Sequence, residues 1–251
     1  MAVDGERLDE FAPTKQAQFA TTHWSVVLAA GQNSSPAAGE ALDRLCRTYW
    51  YPLYAFVRRS GRDVPEAEDL TQEFFARLLQ KDFPAGITPA GGKFRSYLLA
   101  ALKNFLVNEW ASRQTAKRGG GKVILSLEDL GAEARYQSEP ADQATPDRLF
   151  ERRWASALLD QVRQSLKKEY AAEGKDRLFE SLRASLTGAA PLIPYDALGR
   201  QLGMSEGAVK TAVYRLRKRY GELLRLEIAQ TVDRPEDIED EIRCLIAATG
   251  S

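Results

Sequence analysis

The residues in this chain best suited to chemistry are cations set on one helical run. In Tyr195 to Tyr220, YDALGRQLGMSEGAVKTAVYRLRKRY, the bases Lys210, Arg215, Arg217, Lys218 and Arg219 follow Gly203 and Ser205 closely. From Gly203 to Arg225 six bases oppose only Glu206 and Glu222, a net charge of plus four. Ammonium and guanidinium groups along a helix neutralise phosphates and displace counterions. Polar side chains in its first turns reach base edges in a major groove. Glu206, Gly207, Lys210 and Thr211 occupy those first turns, with Arg215, Arg217, Lys218 and Arg219 behind them.

A second basic segment runs from Lys93 to Lys122. Lys93, Arg95, Lys103, Arg113, Lys117, Arg118 and Lys122 oppose the single acid Glu109, a net of plus six. Phe94, Tyr97, Phe105 and Trp110 are interleaved with them. Cations that track a backbone beside rings on which unpaired bases stack suit single-stranded or melted DNA. The apolar spacing of Phe94, Phe105 and Trp110 nevertheless predicts that these three rings pack a helical core.

Other chemistries lack their residues. His23 is the one histidine, and Cys46 and Cys244 stand far apart, so a zinc cluster has no ligand set and the expected metal and cofactor content is none. No base and nucleophile pair stands out, and no catalytic residue is assigned. Gly91-Gly92-Lys93 and Gly119-Gly120-Gly121-Lys122 look like phosphate loops. Phe94 and Val123, however, stand where Ser or Thr must hold magnesium, and no strand precedes either. The first twenty residues carry Asp4, Glu6, Asp9 and Glu10 and no apolar run, so no signal peptide or membrane span is expected and the expected compartment is the cytoplasm.

The elements that position the two basic segments read as helices throughout. Leu42, Leu45, Cys46, Tyr49, Leu53, Phe56 and Val57 recur at three and four, with Pro52 expected to bend or break that helix. A second helix begins after Pro65, with Glu66, Glu68 and Asp69 in its first turn where they favour the helix dipole. It carries Leu70, Phe74, Phe75, Leu78 and Leu79. A third runs from about Lys93 to Lys117. Between Gly119 and Pro146 the pattern dissolves into glycine, proline and acids, with Val123 to Leu127 alone strand-like, which predicts a linker. Periodicity resumes with Phe150, Trp154, Leu158, Val162, Leu166 and Tyr170. Leu178 to Leu186, Tyr195 to Leu202, Glu206 to Leu226 and a piece from Pro235 follow.

Gly199, Gly203 and Val209 fall where a helix-turn-helix needs a small contact residue, a turn glycine and an aliphatic lock, and Ser205 is placed to cap the second helix. The sequence thus predicts an all-α protein with two helical domains. The divisions are a disordered tail over 1–20, a bundle over 21–118, a flexible acidic linker over 119–146, a helix-turn-helix domain over 147–226 and an acidic helical extension over 227–251.

Two motifs carry a family resemblance. Glu68-Asp-Leu-Thr-Gln-Glu-Phe-Phe-Ala-Arg-Leu-Leu79 resembles the region-two helix of bacterial RNA polymerase sigma factors of the extracytoplasmic-function type, within the sigma-70 family. The segment Ser205-Glu-Gly-Ala-Val-Lys-Thr within the helix-turn-helix resembles their region four, and Phe94-Arg-Ser-Tyr-Leu-Leu through Lys103-Asn104 the intervening helix. The resemblance implies that Asp69, Gln72, Glu73 and Arg77 contact the polymerase clamp. It implies that Asn104, Asn108, Arg113, Lys117 and Arg118 read the −10 strand. Glu206, Lys210, Thr211 and Arg215 would read the −35 duplex. The implied partners are core RNA polymerase and promoter DNA, with an anti-sigma protein or the chain's own tail as a source of control. The alternative from the residues alone is a helix-turn-helix regulator that acts without polymerase.

Two departures stand out. Gly199 replaces the alanine usual in that family, which weakens the helix by about 1 kcal/mol on propensity. The extension from Glu227 onward holds seven acids against Arg234 and Arg243, a net of minus five. Its expected fold is an amphipathic helix packing Ile238, Ile242 and Leu245 with its acids in water. Its sign, opposite to that of the recognition helix, suggests that it folds back to compete with DNA.

Overall fold

The apolar periods are realised as helices. The computed structural model describes residues 36–80, 93–115, 131–138, 144–187 and 193–250, and among these no strand occurs. The helices are α1 (Pro36–Arg59), α2 (Val64–Gln80), α3 (Phe94–Thr115), α4 (Ala132–Gln137), α5 (Pro146–Ala172), α6 (Asp176–Leu182), α7 (Tyr195–Leu202), α8 (Glu206–Ala229) and α9 (Ile238–Thr249). Short 3-10 turns, Arg183–Thr187 and Pro235–Asp237, follow α6 and lead into α9. The expected tail over 1–20, His23, the stretch Val123 to Leu127, and Lys117 and Arg118 lie outside the described residues.

Pro52 neither ends nor splits α1, which stays helical to Arg59. Proline removes one backbone donor and crowds the preceding turn. The helix survives because its flanks are anchored in the core: Tyr49, Leu53, Tyr54 and Val57 are fully buried.

Against α1 lies α5, in the most extensive contact between any two described helices. It starts cleanly, with Pro146 in the first turn and the Thr145 hydroxyl accepting from the Arg148 amide at 3.3 Å. Leu149, Phe150, Trp154, Ala155, Leu158, Val162 and Leu166 are buried along its inner face. Rings lock the remaining sides: Trp50 stacks on Phe75 at 5.5 Å, and Phe94 meets Tyr49 edge-on at 5.4 Å. Truncating a ring of this burial, such as Trp154, costs about 3–5 kcal/mol.

One connected apolar cluster runs from Leu45 in α1 to Leu245 in α9. The helical segments before and after 119–146 therefore share a core in this state. Polar bonds cross the same seam. Thr48 donates to Gln161 Oε1 at 2.7 Å, and Gln161 Nε2 donates to Glu227 Oε2 at 3.1 Å, so α1, α5 and α8 are joined by one chain.

Within the stretch read as an unpatterned linker, α4 is a helix docked on α1. Glu133 accepts from Tyr54 at 2.6 Å and from Arg58 Nε and Nη2, both at 3.0 Å. Arg58 also lies 4.9 Å from the centre of the Tyr136 ring. Its six residues are too few to register a helical period in sequence.

Candidate nucleic-acid interface

The turn between α7 and α8 sets the recognition helix. Gly203 ends α7 at φ +67°, the left-handed conformation that glycine adopts without a Cβ penalty. The Met204 amide then donates to the Gly199 carbonyl at 2.8 Å. Ser205 caps α8 as its sequence predicts, its hydroxyl accepting from the Ala208 amide at 3.2 Å. Val209 is fully buried, with Val213 and Leu216 continuing the inner face.

Gly199 is required by contact. A Cβ there would sit 2.6 Å from the Met204 carbonyl oxygen. The propensity loss expected from sequence is therefore offset by a turn that closes tighter than alanine allows.

The outward face of α8 presents Glu206, Lys210, Thr211, Arg215 and Lys218, all exposed. Lys210 pairs with Glu206 at 2.6 Å, and this hydrogen bond holds its ammonium above the ordinary range. Thr211 donates to the Gly207 carbonyl at 3.0 Å. Tyr214, absent from the sequence-based set, is 67% exposed in the middle of this face. Its signal was available: it follows Lys210 by four and lies off the Val209, Val213, Leu216 side.

Two of the seven predicted recognition-helix residues also make bonds within the fold. Arg219 clasps the Glu169 carboxylate at 2.8 and 2.7 Å and reaches Glu222 at 3.0 Å. Those hydrogen bonds raise the Arg219 guanidinium further above its usual range. Arg217 donates to the Ser185 carbonyl at 2.9 Å, tying α8 to the turn after α6.

On α3 the division is similar. Phe94 and Phe105 are buried as expected, but Trp110 is 56% exposed and Val107 65% exposed. This corrects the core placement of Trp110: the helix period gives its angle, whereas among the described residues none covers its ring. Asn104 and Asn108, one turn apart, are exposed on the same side of α3. Of the other residues expected at the −10 strand, Arg113 lies on the last turns of α3.

The residues expected at the polymerase clamp gather on α2. Asp69 is exposed, and Gln72, Glu73 and Arg77 are half-buried. Arg77 bridges helices, bonding Glu73 and Glu109 at 2.6 Å each and lying 5.0 Å from the Phe105 ring centre. Burial opposes its charge, but the two carboxylates more than compensate and hold the guanidinium above its usual range. Arg77 thus fixes α3 against α2.

Among the described residues no group of three or more His, Cys, Asp or Glu side chains could hold a metal ion. None of the described helices is long and apolar enough to cross a membrane.

With this geometry, residues 45–116 match the family model of sigma-70 region 2. The matched segment covers most of α1, all of α2 and α3, and less than a third of the chain. A sigma-70 region 2 is thus present, and it contains Asp69, Gln72, Glu73 and Arg77 on α2 and Asn104, Asn108 and Trp110 on α3. No curated protein and no solved structure matches the chain.

Proposed function

We propose that this chain is a sigma factor of the extracytoplasmic-function type, which binds core RNA polymerase and directs it to promoters. Region 2 binds core through Asp69, Gln72 and Glu73 on α2, with Arg77 fixing that helix to α3. It reads the melted −10 strand with Asn104, Asn108, Arg113, Lys117 and Arg118. Trp110 offers an exposed ring on which an unpaired base stacks. The helix-turn-helix acts as region 4. Glu206, Lys210, Thr211 and Arg215 read the −35 duplex with Tyr214, and Lys218 holds phosphates.

A single juxtaposition carries the reading: a segment matching sigma-70 region 2 shares a chain with a capped helix-turn-helix whose outward face is basic and exposed. A helix-turn-helix regulator acting alone has no use for region 2. The protein would work wherever core polymerase is, in the cytoplasm. The test is transcription with purified core enzyme. Promoter-dependent initiation is expected, and DNA binding without a core complex would favour the solitary regulator instead.

A further inference from the structure

Acids from the C-terminal half of the chain pair with the cations of the basic segment after Lys93. Glu241 of α9 is completely buried. It accepts from Arg95 Nε at 2.6 Å and Nη2 at 3.1 Å, and its Oε2 lies 2.9 Å from Lys93 Nζ. Lys93 also donates to Cys244 Sγ at 3.0 Å. The remaining arm of Arg95 binds both oxygens of Glu151 on α5, and its guanidinium lies 4.7 Å from the Trp154 ring centre. Lys103 pairs with Asp147, also on α5. A backbone bond joins the same parts, the Phe94 amide donating to the Thr231 carbonyl at 2.9 Å.

Every base between Lys93 and Lys122 whose side chain is described is therefore paired with an acid from residues 147–241. Those bases belong to the segment whose charge suits melted DNA. The acidic extension reaches both basic segments: Glu241 meets Arg95 and Lys93, and Glu239 pairs with Arg225 of α8 at 3.0 Å, while Lys210, Thr211, Arg215 and Lys218 on the outward face of α8 stay exposed.

We propose that α9 is a latch, holding through Glu241 a closed, self-masked state in which Lys93, Arg95 and Lys103 are occupied by the chain's own carboxylates. This rests on the sigma-factor reading, which also supplies the reason the latch must open. Elements named −10 and −35 are centred about 25 base pairs apart, about 85 Å at a rise of ~3.4 Å per pair. A globule of 251 residues has a radius of gyration of about 18 Å, or about 46 Å across. The longest described helix, α5 with 27 residues, is about 40 Å long. A body whose α3 and α8 share one core does not span both elements.

An ionic seam suits such a device. Buried charges lose hydration on closing and regain it on opening, so the network fixes register strictly while adding little net depth to the closed state. Opening at this seam releases Lys93, Arg95 and Lys103 for phosphates in the same step.

The test uses the full chain carrying fluorophores at exposed Arg47 on α1 and Arg200 on α7. The free protein should show one high-transfer population, shifting to low transfer when core polymerase and promoter bind. Glu241→Gln should populate low transfer without core. It should also tighten binding to a non-specific duplex at least about threefold, because apparent affinity scales with the open fraction. Should Glu241→Gln fail to fold, Asp147→Asn, at an exposed pair, unmasks Lys103 and is expected to tighten duplex binding. Unchanged transfer in an initiating complex overturns the latch and leaves the sigma reading intact. So does a folded Glu241→Gln chain as closed as wild type. A wild-type chain that neither binds core nor initiates overturns both.

Discussion

At the residue scale, Gly203 and Ser205 set the start of α8, and Lys210, Thr211 and Arg215 stand exposed on it. Ser205 caps an amide three residues on, Val209 locks a turn six residues after Gly203, and Phe94 and Phe105 follow a helical period. The bonds of Arg217 and Arg219 were not legible because a basic residue on a helix has the same spacing whether it faces phosphate, a carbonyl or a carboxylate. Only the fold reveals Glu169 and Ser185 as their partners. The exposed set makes a sharp expectation. Charge reversal at Lys210 and Arg215 should abolish duplex binding in a gel-shift assay while core binding is unchanged, because neither side chain packs inside the protein. Gly199→Ala tests the turn. Propensity alone would make it stabilising by about 1 kcal/mol. With a Cβ 2.6 Å from the Met204 oxygen, thermal melting should instead show destabilisation.

At the element scale, long amphipathic helices were legible and short docked ones were not. The two sides of the helix-turn-helix follow from their punctuation by Gly203 and Ser205. By contrast α4 is held by α1 rather than by its own pattern, and the acids around it look like a solvated tether. Its clip titrates. Hydrogen bonds from Arg58, opposed by burial and aided by the Tyr54 hydroxyl, lower the Glu133 carboxyl from its ordinary 4.5 to about 2. A carboxylate depressed on folding contributes stability that is fully present above its unfolded pKa and is lost as pH falls through the folded one. Docking of α4 should therefore persist from pH 7 to about 4.5 and loosen between there and about 2. Hydrogen exchange of residues 131–138 measures it. Glu133→Gln should weaken protection at neutral pH and flatten the dependence, and an unchanged profile would contradict the clip.

At the scale of the whole molecule, the zero net charge conceals strong internal opposition. Two basic segments are visible in sequence, as is the acidic extension, but which acids meet which bases depends on contacts such as Arg95 with Glu241, 146 residues apart. Sequence places the two halves on either side of a linker; burial of the α1 and α5 faces against each other joins them in one core. In the proposed function these halves serve a single act, the delivery of core polymerase to a promoter. Run-off transcription with purified core enzyme on templates selected by the complex itself measures that act. Wild-type protein should yield a discrete, template-dependent transcript that is lost with Lys210 and Arg215 reversed. Intact binding of either chain to DNA with no core complex and no transcript from any template would contradict the account.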